Sequence, residues 1–292
     1  MTATPGITHS TGHVTSADGT VIGFRRIGSG EAVLLLHGNL LTSLDLMPLA
    51  SALSGEFDLI VPDRRGRGLS GGHGNQYGMD REIEDVRALV QATGATRVFG
   101  LSSGALVALR SALVMPQLTQ VAVYEPPLSV NGSAPIGWVS RFDREVAHGK
   151  WADALLTCLR GLGMPPWFAR LPRWLVVPIL RGVQASGALD DEIPLKELLP
   201  ATHYDMQLVA ELADTASDFE DLQTEVLLIG GSKSPEYLRT IALDALEAVL
   251  PRSSRIEISG LDHTSPAEKR GAPRVASTLL GFFEHRGGPQ AE

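Results

Sequence analysis

The sequence predicts an α/β fold in which one mostly parallel, eight-stranded sheet is covered by helices on both faces and interrupted by an inserted helical cap. Along the 292 residues, short apolar runs alternate with amphipathic stretches, which is the pattern of parallel strands connected by helices. This alternation stops after Tyr124 and resumes at Glu225. The stretch between them is rich in tryptophan and proline and has no convincing buried strand, which indicates one insertion into one sheet.

A hairpin is predicted at the start of the chain, because the strand-like residues 13–16 and 21–27 flank a turn-like Ala-Asp-Gly-Thr segment. Over residues 80–93, apolar side chains recur every three or four positions between charges, and Gly94 supplies a C-terminal stop. The other predicted strands are 32–36, 59–61, 97–101, 120–124, 225–230 and 255–259, and the other predicted helices are 41–53, 103–114, 235–250 and 271–285.

The expected domain division follows from this order of elements. Residues 1–127 and 222–292 form the predicted core domain, and residues 128–221 form the helical cap. The length of the chain fits one interrupted sheet better than two independent domains.

Composition narrows the class of protein further. Hydrophobic residues make up 43% of the chain and charged residues 20%, as in packed globular proteins. The net charge of −8 is spread without a basic run, which disfavours nucleic acid as a partner. Cys158 is the single cysteine, so no intramolecular disulfide or thiolate-rich metal site can form. Met1–Ser10 lacks the pattern of a signal peptide and the longest apolar stretch is short, so we expect a soluble, cytoplasmic protein with no membrane partner.

The segment that carries most chemical information is Gly100-Leu101-Ser102-Ser103-Gly104, a G-x-S-x-G pattern where a buried strand ends and a helix begins. Such a sharp strand-to-helix turn strains the serine backbone and points the serine oxygen out of the sheet edge. Ser102 is therefore the candidate nucleophile. The alternative is a small-residue turn that only packs the helix closely on the sheet.

A second match to the same pattern lies at residues 68–72, around Ser70. It follows a polar, arginine-rich loop and runs into further glycines, with neither a strand before it nor a helix after it. Ser70 therefore lacks the context that a nucleophile needs.

With these motifs, the chain resembles the α/β-hydrolase superfamily, in the branch with a helical cap between the sixth and seventh strands. Three further motifs support the resemblance: His37-Gly38-Asn39 after one strand, the arginine- and glycine-rich loop 63–70 after the next, and Gly260-Leu261-Asp262-His263 after the last. In this family the order along the chain is nucleophile, acid, base. The resemblance implies an α/β-hydrolase fold, no cofactor, and His263 as the base that takes the proton of Ser102.

The acid departs from the commonest pattern of the family. The loop after the seventh strand, 230–235, has no carboxylate, whereas the sixth strand ends at Glu125. Glu125 is therefore the predicted triad acid, with a strand-capping role as the alternative. Asp262 is a poorer candidate because side chains of adjacent residues diverge.

The backbone N–H groups of Asn39 and Ser103 are the predicted oxyanion donors. His37 is expected to brace that loop, and the loop 63–70 to act as scaffolding through charge-assisted hydrogen bonds. From the last helix of the cap, residues 203–205 are candidates for a polar contact with the substrate.

The predicted function is hydrolysis of a small, largely apolar ester, lactone, thioester or related acyl substrate through an acyl-enzyme. The apolar cap suggests a water-excluding pocket, although its aromatic side chains can equally form the cap's own core. The alternative function is non-hydrolytic, with the same pocket serving a lyase, a cyclase or ligand binding. The sequence gives no indication of oligomeric state.

The large apolar side chains of the predicted cap, on which the suggestion of an apolar pocket rests, are Trp138, Trp151, Met164, Trp167, Phe168 and Trp174.

Overall fold

One sheet of eight strands organises the structure, a computed structural model that describes residues 8–163, 171–185 and 193–284. The strands are β1 (Ser10–Thr15), β2 (Val21–Gly28), β3 (Glu31–Leu36), β4 (Phe57–Pro62), β5 (Arg97–Leu101), β6 (Gln120–Tyr124), β7 (Glu225–Gly231) and β8 (Ser253–Ile258). Their order in the sheet is β1-β2-β4-β3-β5-β6-β7-β8. β2 is antiparallel to β1 and β4, and all other neighbours are parallel. The predicted opening hairpin and the mostly parallel sheet are both confirmed.

Helices cover both faces of this sheet, as predicted. In the described ranges the α-helices are α1 (Met47–Leu53), α2 (Met79–Thr93), α3 (Ser103–Val114), α4 (Val139–Ala147), α5 (Trp151–Gly161), α6 (Arg173–Ala185), α7 (Leu195–Leu198), α8 (Ala201–Glu211), α9 (Leu243–Val249) and α10 (Ala272–Glu284). β5 shows how the core divides: Val98 packs in a cluster that includes apolar residues of α2 and α3, whereas Phe99 packs with residues of α1 and α10. Alternate side chains of a strand point to opposite faces, so both faces must be apolar.

Two predicted helices differ from the structure in their geometry. The segment predicted as one helix over 41–53 is a 3₁₀ turn, Ser43–Leu46, followed by α1. Pro48 lies in the first turn of α1, where its missing N–H costs nothing. The helix predicted over 235–250 begins as a π-helix, Tyr237–Ala242, before α9.

Helices α4 to α8 lie between β6 and β7 in the chain, where the insertion was predicted. Helices α4 to α7 share an apolar cluster of their own, built on fully buried side chains such as Phe142 and Leu156, whereas the buried apolar side chains of α8, such as Leu208, belong to a cluster of the core. Trp138 packs edge-on against Phe142 and Trp151 borders the same cluster, whereas Trp174 is 73% exposed. Trp138 and Trp151 are therefore partly buried against the apolar cluster of the insertion. Met164, Trp167, Phe168 and the prolines at 165 and 166 lie outside the described residues.

Among the helices of the described ranges, none is long and apolar enough to cross a membrane.

Candidate active site

Ser102 occupies a strained turn between β5 and α3. Its φ of 55° and ψ of −124° lie in a region that a residue with a side chain rarely adopts. The two motif glycines make the turn possible. A Cβ on Gly104 would lie 2.5 Å from the carbonyl oxygen of Leu36, and one on Gly100 would lie 2.5 Å from Cα of Ala105. The strand, the turn and the helix that the G-x-S-x-G motif predicted are all present.

The loop that follows β3 runs beside this turn. A Cβ on Gly38 would lie 2.8 Å from Cβ of Ser102, so the absence of a side chain there lets the two segments approach. Asn39 comes next in this loop, and Ser103 begins α3. In the described part of the chain, neither the N–H of Asn39 nor that of Ser103 donates a hydrogen bond to the protein. Both donors are thus available to an oxygen bound near Ser102.

His263 and Glu125 form a hydrogen-bonded pair. The Nδ1 atom of His263 lies 2.7 Å from Oε2 of Glu125, and the Glu125 side chain is fully buried. The other carboxylate oxygen, Oε1, accepts a hydrogen bond of 2.6 Å from the N–H of Gly231. Since both carboxylate oxygens are held, the imidazole is fixed through Nδ1 and Nε2 is the nitrogen left to exchange a proton.

Tyr124 connects this pair to the turn at Ser102. Its carbonyl oxygen accepts from the N–H of Ser102 at 2.9 Å, and its hydroxyl donates to the carbonyl oxygen of Asp262 at 2.8 Å. One residue at the end of β6 therefore holds the backbone of Ser102 and the loop that carries His263. No hydrogen bond joins Ser102 Oγ to the imidazole within the described ranges, and catalytic hydrogen bonds often tighten only when substrate binds.

Asp262 serves a local turn. Its Oδ1 accepts from the backbone N–H groups of Thr264 and Ser265 and from the hydroxyl of Ser265. The carboxylate is therefore engaged in its own loop, in agreement with the expectation that Asp262 is the poorer acid.

His37 braces the loop after β3, as expected. Its Nε2 accepts from the N–H of Arg64 at 3.0 Å, and its Nδ1 lies 2.9 Å from the carbonyl oxygen of Gly38. Burial, reinforced by the charges of Arg67 and Arg64, lowers the pKa of His37 to about 3. A neutral imidazole with both nitrogens engaged is a structural element and a poor base.

The loop 63–70 ties the core loops together with buried ion pairs, which fits the expected scaffolding role. Arg64 pairs with Glu82 at 2.8 Å, and Arg65 pairs with Asp85 at 2.6 Å. Ser70, the serine of the second G-x-S-x-G match, accepts from a backbone N–H and donates to a backbone carbonyl in this loop. No helix begins directly after Ser70, as the sequence indicated, because α2 starts only at Met79.

The three residues proposed for a polar contact from the cap differ in their surroundings. His203 is half-exposed and faces Asp143 at 3.1 Å, and Tyr204 stacks on His73 with ring centroids 3.7 Å apart. Asp205 is fully buried and accepts from Arg64 at 2.8 Å. Each side chain is thus already engaged within the protein. Within the described ranges, no group of three His, Cys, Asp or Glu side chains is placed to hold a metal ion.

The chain belongs to the alpha/beta hydrolase family, whose sequence pattern matches residues 33–277. It is 32% identical over 245 residues to the pimeloyl-(acyl-carrier protein) methyl ester esterase of Xanthomonas axonopodis pv. citri, a match that covers 81% of this chain and 89% of that enzyme. A shorter match, 35% identical over 109 residues, is to the N-formylmaleamate deformylase of Pseudomonas putida and covers 36% of this chain and 41% of the deformylase.

Two solved structures have the same fold. An alpha/beta hydrolase from Sphaerobacter thermophilus superposes with a TM-score of 0.77 at 31% identity, over 93% of this chain and 100% of that one. A thermophilic esterase from Thermogutta terrifontis superposes with a TM-score of 0.72 at 20% identity, over 94% of this chain and 98% of that one. Together with the family match, these neighbours identify the architecture as the α/β-hydrolase fold. The esterases among the relatives support an esterase-like hydrolase activity.

Proposed function

We propose that the protein is a serine hydrolase that cleaves a small, largely apolar ester, lactone, thioester or related acyl substrate through an acyl-enzyme. Ser102 is the nucleophile, His263 the base and Glu125 the acid that orients it. The backbone N–H groups of Asn39 and Ser103 stabilise the oxyanion. No cofactor takes part in this chemistry.

In the first half of the reaction, Oγ of Ser102 forms a bond to the carbonyl carbon while its proton moves to Nε2 of His263. The electron pair of the carbonyl moves to its oxygen, which the two backbone donors stabilise. The bond from carbon to the leaving group then breaks, and the leaving group takes the proton from Nε2. Glu125 stabilises the imidazolium that exists between these two proton transfers.

In the second half, water replaces the leaving group. Its oxygen attacks the acyl carbon, one of its protons moves to Nε2 of His263, and the same donors stabilise the second oxyanion. When the bond from Oγ of Ser102 to the carbon breaks, the proton returns to Oγ and the acid product is released.

The observation that carries this proposal is the 2.7 Å pair of His263 Nδ1 and Glu125, joined through Tyr124 to the strained turn at Ser102. A buried carboxylate aimed at Nδ1 fixes the tautomer that a serine nucleophile needs. A loop after the seventh strand without a carboxylate favours a non-hydrolytic function, but the pairing of Glu125 with His263 provides an acid from the end of the sixth strand and supports hydrolysis.

The apolar character of the substrate rests on the insertion. Leu40 directly follows Asn39 in the chain and borders the apolar cluster of the insertion. An apolar cluster that reaches the residue after this proposed oxyanion donor favours an apolar acyl or alcohol group. We infer that residues 128–221 act as a cap over Ser102. The single cysteine, Cys158, is free and buried, which fits a cytoplasmic location.

Hydrolysis of p-nitrophenyl acetate and labelling by a fluorophosphonate test the proposal, with Ser102→Ala and the matched control Ser70→Ala. We expect an initial burst of p-nitrophenol in the wild type, because p-nitrophenolate is a good leaving group that makes acylation faster than deacylation, so the acyl-enzyme accumulates. Ser102→Ala is expected to abolish both the burst and the labelling, and Ser70→Ala to retain both. A folded wild-type protein that shows neither reaction would contradict the proposal and favour a lyase, cyclase or ligand-binding role.

A further inference from the structure

One face of helix α8 contacts both segments that supply the proposed oxyanion donors. Thr202 and Asp205 are three residues apart, which places them on the same side of the helix. Both residues are fully buried. Helix α8 belongs to the insertion, whereas the two donors belong to the core, so these side chains join two separate parts of the chain.

Thr202 holds the side chain of Asn39. Its hydroxyl donates a hydrogen bond of 2.8 Å to Oδ1 of Asn39, and Nδ2 of the same amide lies 3.8 Å from Sγ of Cys158 in α5. The next residue, Leu40, has a φ of 56°, so the backbone turns sharply directly after the donor. The insertion therefore holds both ends of the Asn39 amide at the point where the loop bends.

Asp205 acts on the other donor through Arg64. Its Oδ1 accepts from Nη1 of Arg64 at 2.8 Å, and the same Nη1 lies 3.1 Å from Oγ of Ser103 and 3.4 Å from the carbonyl oxygen of His37. Burial alone would raise the pKa of Asp205, but the charges of Arg67 and Arg64 and a hydrogen bond from Ser103 lower it instead. An ionised Asp205 thus holds the guanidinium that contacts Ser103 and the loop after β3.

We propose that Thr202 and Asp205 are positioning residues that fix the oxyanion hole, so that the placement of α8 on the core sets the geometry of catalysis. The inference rests on the proposed serine-hydrolase function. The oxyanion carries its charge only in the transition state, so looser donors lower kcat and leave KM nearly unchanged. Binding of substrate in its ground state does not depend on these donors in the same way.

Thr202→Val tests this inference, because valine keeps the shape of threonine and removes the hydroxyl donor. On p-nitrophenyl acetate, kcat is expected to fall by at least about tenfold, since small errors in placement are costly in an active site. KM is expected to stay within about twofold. Phenylboronic acid becomes tetrahedral when a serine oxygen bonds to its boron, and its affinity should fall by the same factor as kcat. Thr202→Ser keeps the hydroxyl and is expected to restore both values.

Thr157→Val is the matched control. Thr157 is a buried threonine of α5 whose hydroxyl donates to Glu145, also within the insertion. Its removal is expected to lower thermal stability without changing kcat. Asp205→Asn leaves Arg64 and Arg67 without a full counter-charge, so this variant can lose activity simply because the protein is less stable. The test therefore relies on the Thr202 variants.

Three results would overturn the inference. Thr202→Val could match Thr202→Ser in kcat, it could raise KM with kcat unchanged, or Thr157→Val could lower kcat by the same factor. If the wild type hydrolyses the ester and is labelled at Ser102, each of these results refutes the positioning role and leaves the proposed function standing. A wild type with neither property refutes the proposed function as well.

Discussion

Glu125→Gln keeps the shape of the side chain and removes the negative charge that faces His263. The carboxylate is fully buried and lies 2.7 Å from Nδ1 of His263, so solvent water cannot compensate for the loss of its negative charge. Removing the charge of a triad acid lowers kcat by about 10⁴-fold, which corresponds to about 5.5 kcal/mol of transition-state stabilisation. Because the amide can still accept the hydrogen bond from Gly231, we expect folding to be retained and kcat to fall by about 10³-fold to 10⁴-fold.

Steady-state kinetics on a p-nitrophenyl ester measure this loss, and thermal unfolding checks that the variant is folded. Ser234→Ala is the control, because Ser234 lies in the loop after β7, where the family usually carries its acid. Its Oγ is buried and has no hydrogen-bond partner in the described ranges, so its removal should change kcat by less than about twofold. Small and equal losses in the two variants would refute the assignment of the acid to Glu125.

Three further predictions concern the glycines, the nucleophile and pH. Ser102→Gly should abolish activity yet raise the free energy of unfolding by about 1 kcal/mol, because glycine tolerates a φ of 55°. If urea unfolding shows that Ser102→Gly is no more stable than Ser102→Ala, the backbone at this turn is not strained. Gly104→Ala should lower the free energy of unfolding by about 1 to 3 kcal/mol, because the new Cβ would meet the carbonyl oxygen of Leu36. Gly72 holds the same position in the second motif and has open space around it, so Gly72→Ala should cost less than about 0.5 kcal/mol. Equal unfolding midpoints of these two variants would contradict the prediction. The pKa of His37 is about 3 in the folded protein, whereas that of an unfolded histidine is about 6.5. The contribution of His37 to the free energy of unfolding is therefore fully present above pH 6.5 and is lost as the pH falls towards 3, by at most about 1.4 kcal/mol per pH unit. The free energy of unfolding of His37→Gln should fall less steeply with acid than that of the wild type, and parallel pH profiles of the two proteins would contradict this.

The central strands were predictable because they are buried on both faces. β5 and β6 have the predicted bounds, since a continuous apolar run between polar residues marks each of them. β8 begins two residues before its predicted start. It lies at the edge of the sheet with mostly exposed or partly buried side chains, so its first residues pair with β7 without being apolar.

The helix types were less predictable than their positions. The side chains of a 3₁₀ turn, a π-turn and an α-helix follow similar apolar spacings over a few residues. The segment before Pro48 and the segment Tyr237–Ala242 therefore both resembled α-helix.

The local parts of the candidate site could be predicted from the sequence, whereas its long-range contacts could not. The turn at Ser102 depends on neighbouring glycines, and the pairing of Glu125 with His263 follows from the order of strands in a known family. The contacts of Thr202 with Asn39 and of Asp205 with Arg64 join residues 163 and 141 positions apart. They depend on how the insertion packs on the core, for which the sequence carries no periodic signal.

Mass spectrometry of the protein after reaction with a fluorophosphonate locates the nucleophile, because the reagent forms a covalent adduct with it, and the rate of adduct formation reports the action of the base. We predict one adduct, on Ser102, and labelling at least about 10³-fold slower in His263→Ala. An adduct on Ser70 or Ser103, or an unchanged labelling rate in His263→Ala, would refute a Ser102–His263 nucleophile and base.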